Sequence, residues 1–109
     1  MDDAFWLRYL RAHADPRTRA LHLGGTLAAT ATLAVAFAAR KPAWLPWALV
    51  AGYGPAWFSH AFIEHNRPET FSRPFSSLAA DYRMAAAMLT GSIDAELARA
   101  GAGTAAERP

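Results

Sequence analysis

The chain has 109 residues, of which 53% are apolar, and its formal net charge is +2. That length holds a single domain, and so small a charge excludes a strongly basic nucleic-acid-binding surface. Cysteine is absent, which excludes a disulfide framework, thiolate ligands and a cysteine nucleophile.

In chain order, Asp2 or Asp3 caps a first helix over about residues 3–14. Phe5, Trp6, Tyr9, Leu10 and His13 share one face of it, while Arg8 and Arg11 point elsewhere. This pattern predicts an amphipathic helix lying in a membrane interface, anchored by its aromatic residues. Pro16 ends it, because the residue before a proline is pushed out of the α region.

No charged side chain occurs from Leu23 to Ala39, and none from Pro42 to Ile63. A soluble helix of such length carries a polar face, and neither stretch does. The reading is a two-helix transmembrane hairpin, with spans over about 18–39 and 43–65 joined at Arg40-Lys41-Pro42. Trp44 and Trp47 fall at the turn-side interface, and Trp6 and Trp57 towards the other. Gly52, Gly54 and Pro55 kink the second span or let the first approach closely. The Gly52-Tyr53-Gly54-Pro55 run is no phosphate loop, since it lies inside an apolar segment. Of eleven Lys and Arg, four precede the first stretch, two lie in the turn and five follow the second. By the positive-inside rule both termini face the cytoplasm, making this a multi-pass protein of the inner membrane if bacterial. A cleaved signal peptide is the rival for the first stretch, where Ala36-Phe37-Ala38 resembles a cleavage site. Against it stand the long charged region before the stretch and the second apolar segment straight after.

Asn66-Arg67-Pro68 stops the second span. A third helix over about 76–89 presents Leu78, Tyr82, Ala85 and Leu89 on one apolar face, to lie on the membrane or pack on the hairpin. Gly91 breaks it, closing a single membrane domain over 1–91. Residues 92–109 read as a weak helix and a disordered tail. The fold class is thus an all-α membrane protein.

The four histidines all flank the apolar stretches on the same expected side. His22 opens the first span and His60 lies near the end of the second. About 27 Å of helix separates His22 from Arg40, and about 24 Å separates Trp44 from His60, at 1.5 Å per residue. An antiparallel hairpin therefore returns the two imidazoles to one depth. His13, on the inner face of the first helix, folds over the same spot by the turn at Pro16. Glu64 lies four residues after His60, one α-helical turn on. Imidazoles plus a carboxylate with open positions suit a non-haem Fe(II) centre that activates O₂. The plainer reading makes these histidines interfacial, with Glu64 paired to Arg67 or Arg73. His65 points about 100° away from Glu64 and reads as non-functional. Asp81 is a candidate acceptor behind a histidine. Arg67, with Asn66 beside it, is a candidate for an anionic substrate head group, although a basic residue there is expected anyway. Two further classes stay open. One is a haem protein using His22 and His60 as axial ligands; the other is a non-enzymatic scaffold, as a homo-dimer through Gly52 or Gly54.

Several of these residues form a recognisable pattern. Phe5-Trp6-x-x-Tyr9-Leu10-x-x-His13, Pro16-x-x-Arg19-x-x-His22-x-x-Gly25-Thr26, Gly52-Tyr53-Gly54-x-Ala56-Trp57 and His60-x-x-x-Glu64-x-Asn66-Arg67-Pro68 occur in order. They are followed by Thr70-Phe71, Pro74, Ser77-Leu78, Asp81, Arg83-Met84 and Leu89-Thr90-Gly91. The chain resembles, over about residues 5–91, the small membrane-protein family of the fungal 2-hydroxy fatty acid dioxygenase. That enzyme converts phytosphingosine-derived acids to odd-chain fatty acids. The resemblance implies an Fe(II)-dependent α-oxidation enzyme acting on a fatty-acid substrate and O₂. His13, His22 and His60 match the family's histidines, and Glu64 its acidic position. Ser59 and Ala61 stand where the family pattern leads one to expect glycine and phenylalanine, and His65 where it leads one to expect lysine.

Overall fold

The computed structural model describes residues 1–102, and those residues are all-helical. Asp2 caps α1 (Asp3–Ala12), its carboxylate accepting the Phe5 N–H at 2.7 Å. Asp15 caps α2 (Pro16–Ala38) by accepting the Arg17 N–H, and Pro16 stands at the first helical position, where a missing donor costs nothing. A 3₁₀ turn (Pro42–Trp44) leads into α3 (Leu45–Ser59), which runs on into a π turn (His60–Glu64). His65 ends that turn in the left-handed region at φ 56°, its N–H donating to the His60 carbonyl. After a second 3₁₀ turn (Glu69–Phe71) come α4 (Pro74–Thr90) and α5 (Ile93–Ala100). The expected tail falls mostly on residues 103–109, outside the described residues.

α2 and α3 pack along their lengths, and two glycines set how closely. A Cβ on Gly25 would lie 2.9 Å from the Ala51 carbonyl oxygen, and one on Gly52 would lie 3.3 Å from the Ala29 Cβ. Gly54, by contrast, faces open space. Among the described residues α2 is the one helix long and apolar enough to cross a membrane, by length and composition. The pair leaves large apolar side chains outward: Phe37 is 83% exposed, Trp47 66% and Phe58 52%.

The core lies elsewhere, at the open end of this pair. Phe5, Trp6, Tyr9 and Leu10 of α1 are buried against Ala80 and Met84 of α4 and Leu97 and Ala100 of α5. The rings of α1 pack against small Ala80 and Ala100 and larger Met84 and Leu97, so the helices interdigitate. Truncating Trp6 to alanine would cost about 3–5 kcal/mol. Of the apolar face expected on α4, Ala85 is buried and Tyr82 reaches Thr30 of α2, while Leu78 and Leu89 are exposed. Two expectations are corrected here. The apolar face of α1 is covered by protein rather than resting on an interface, and Trp6 is no exposed anchor. α5 belongs to the core through the fully buried Leu97. Periodicity shows that a helix has an apolar stripe; it does not say which stripe meets protein.

Candidate metal centre

Three helical elements each deliver one buried imidazole to one point. His13 is the residue closing α1, His22 sits two turns into α2, and His60 opens the π turn. They are 1%, 5% and 2% exposed. Ring centroids lie 4.4 Å apart for His13–His22, 4.6 Å for His13–His60 and 5.2 Å for His22–His60, each pair edge to face. One ring nitrogen from each falls within 4.8 Å of the other two.

The outward-facing nitrogens determine what the inward ones can do. His13 Nδ1 lies 2.6 Å from the Tyr9 carbonyl oxygen, which only accepts, so Nδ1 carries the proton. Asn66 donates its amide N–H to the Ala12 carbonyl at 3.1 Å, which turns its Oδ1 to His60 Nδ1 at 2.5 Å. That nitrogen too is the donor. His22 Nδ1 faces Asp81 Oδ1 at 3.4 Å. In each neutral ring the remaining Nε2 therefore presents a bare lone pair. His13 Nε2 and His60 Nε2 are 3.1 Å apart. His22 Nε2 is buried with no hydrogen-bond partner among the described residues. Three facing lone pairs repel unless a cation lies between them. Two nitrogens bound to one metal at about 2.1 Å are about 3.0–3.4 Å apart. The donor set therefore fits a metal ion, and neutral imidazole suits the borderline first-row metals.

Burial and the neighbouring His22 and His60 hold His13 well below the usual histidine range, keeping its imidazole neutral. Tyr9 stacks on His13 with centroids 3.9 Å apart, and its hydroxyl donates to the same Asp81 oxygen that faces His22. Burial and Asp81 push the Tyr9 phenol well above its usual value, so it stays a donor.

The remaining sequence candidates are placed as follows. Glu64 is not in the cluster: its Oε1 accepts the Asp15 N–H at 2.7 Å. Glu64 closes the π turn that His60 opens, and its carboxylate is taken up at the α1–α2 corner instead. Asp81 stands behind His22. Asn66 stands behind His60 rather than at a substrate head group. Arg67 is exposed and lies over the Phe71 ring at 5.6 Å, away from the histidines. His65 is exposed. Arg19, read in the sequence as a topogenic charge, is 5% exposed and donates to the His13 and Ala14 carbonyls. With Glu64 and Asn66 it braces the α1–α2 corner that carries His13. Its three-residue spacing from His22 was the available signal. The bis-histidine haem reading meets an obstacle, since His13 packs edge-on against both proposed axial rings where a macrocycle would pass.

A family model described as 2-hydroxy-palmitic acid dioxygenase Mpo1-like matches residues 2–93. The chain belongs to the Mpo1-like family. The match runs from the cap of α1 to the first turn of α5, so it includes all three histidines and the acceptors behind them. No curated protein and no solved structure matches the chain at a significant level.

Proposed function

We propose that this chain is a membrane-embedded, Fe(II)-dependent dioxygenase that shortens 2-hydroxy fatty acids by one carbon. The observation that carries the reading is the three inward lone pairs of His13, His22 and His60, buried in a chain of the Mpo1-like family. A non-enzymatic scaffold has no use for three such groups, whose burial costs free energy unless they are paired.

The overall reaction balances without a reducing cosubstrate: R–CH(OH)–COOH + O₂ gives R–COOH + CO₂ + H₂O. Iron(II) held by the histidines would supply the one-electron chemistry that O₂ requires. The protein's own part is positional. The Tyr9 carbonyl, Asn66 and Asp81 fix the tautomer and rotation of the three rings. Three protein ligands leave open positions for an α-hydroxy carboxylate and O₂. Tyr9, Trp6 and Leu10 form a dry floor that excludes bulk water.

The membrane setting is supported by the apolar side chains that α2 and α3 turn outward, and by the uncharged stretch from Pro42 to Ile63. In this reading the 3₁₀ turn, α3 and the π turn together make the second span, with both termini cytoplasmic. The test is metal analysis of detergent-purified protein, with O₂-dependent loss of 2-hydroxyhexadecanoic acid measured beside it. Stoichiometric iron with turnover is expected. Protein purified with Fe(II) present that retains no metal would sink the reading.

A further inference from the structure

We propose that the groove between α2, α3 and α4 is the acyl-chain site, and that Leu33, Leu49 and Leu78 set the chain length it accepts; this rests on the dioxygenase reading for the identity of its ligand. The groove has a volume of about 310 Å³ and is lined by Ala29, Leu33, Leu49, Tyr53, Leu78 and Tyr82, among others. That volume lies at the lower end of the range of small-molecule sites.

Two of its walls lie on the same helix faces as His22 and His60. Ala29 and Leu33 lie seven and eleven residues beyond His22, which at about 100° per residue returns both to within about 20° of the His22 face. Tyr53 and Leu49 lie seven and eleven residues before His60, so the same rotation puts them on the His60 face. The two stripes therefore leave the metal centre side by side on neighbouring helices and become two walls of the groove. Leu78 and Tyr82, one turn apart on α4, form the third wall, next to the Asp81 that faces His22. The Tyr82 hydroxyl meets Thr30 Oγ1 at 2.5 Å, and Thr30 in turn donates to the Thr26 carbonyl. This bond holds α4 against α2.

The lengths agree as well. Positions seven to eleven residues from the histidines lie about 10–16 Å away along the helices. A methylene advances an extended chain by about 1.3 Å, so the fourteen carbons beyond C2 of a 16-carbon acid span about 18 Å. A head group at the histidines would thus lay the middle of the chain through the groove and bring its end to Leu33 and Leu49. Because surrounding lipid is as apolar as the groove, the groove selects by fit rather than by hydrophobic transfer.

The experiment uses full-length protein in nanodiscs, without added metal, and a 16-carbon 2-hydroxy acid carrying a diazirine near C12. Crosslinks are mapped by mass spectrometry. They should concentrate on Leu33, Leu49, Tyr53 and Leu78, and unlabelled 2-hydroxyhexadecanoic acid should compete them away. Leu33→Trp and Leu78→Trp each fill the groove from half-exposed positions and should cut crosslinking about tenfold. Labelling chiefly at Phe37, Trp47 and Phe58 on the outer surface, or labelling unchanged in both variants, overturns the proposal. Metal content of the two variants should equal that of the parent. If the parent binds no metal and turns nothing over, the dioxygenase reading fails while crosslinks in the groove still establish the chain site.

Discussion

His13 Nε2 and His60 Nε2 lie 3.1 Å apart, and each ring has already committed its one proton to an acceptor on the far side. Apposed lone pairs at that distance are unfavourable in an empty, neutral site. The same apposition favours metal uptake, because the repulsion is relieved when a cation enters.

Single replacement of His13, His22 or His60 by alanine should each abolish metal retention and turnover. Because each ligand needs the other two, a double variant should be no worse than a single one. His65→Ala, at an exposed position, should be neutral. Metal analysis beside turnover checks this, and a single variant that keeps near-native metal would remove that histidine from the set.

Asp81→Asn and Asn66→Ala should weaken metal affinity about 10–100-fold while leaving the helices intact. Asp81 faces His22 and also accepts from Tyr9, so its loss frees one ligand ring and the phenol behind another. Competition with a chelator gives the affinities, and circular dichroism tests the fold. Unchanged affinity in both variants would show that ring orientation is set by packing alone.

Glu64→Ala should retain bound metal and lose stability, by about 1–2 kcal/mol, since its carboxylate holds the Asp15 N–H at the corner between α1 and α2. Glu69→Ala serves as the comparison, because among the described residues that carboxylate pairs with the exposed Arg8, at 3.3 Å. Loss of metal from Glu64→Ala, with the thermal midpoint unchanged, would restore Glu64 to the ligand set.

Acid should destabilise the metal-free protein. His13 resists protonation when folded and takes up a proton near pH 6.5 when unfolded. Below that pH the unfolded chain binds the extra proton, so stability present above about 6.5 is lost as pH falls. Thermal unfolding between pH 7.5 and 5 should show the decline, and His13→Gln should flatten part of it. A midpoint independent of pH would contradict the buried neutral ring.

Cysteines introduced at Arg40 and at Ala102 should label from opposite sides of the membrane with an impermeant reagent. Arg40 lies in the turn between α2 and α3, and Ala102 just beyond α5. Labelling from one side would rule out the two-span hairpin.

Much of this was already contained in local chemistry. The Asp2 cap, Pro16 and Gly91 place helix ends because they act on neighbouring backbone groups, and the uncharged stretches coincide with most of α2 and with α3. Antiparallel return also brought His22 and His60 to one depth, since it follows from helix rise alone. Tertiary structure decided what depends on rotation and on distant partners. The Asp15 N–H, 49 residues away in the chain, takes up the Glu64 carboxylate outside the histidine cluster. Asn66 gains its place behind His60 only because the Ala12 carbonyl, 54 residues away, fixes its amide. Trp6 and Leu97 meet because α5 folds back across α1, closing a contact that neither helix's own apolar stripe could specify.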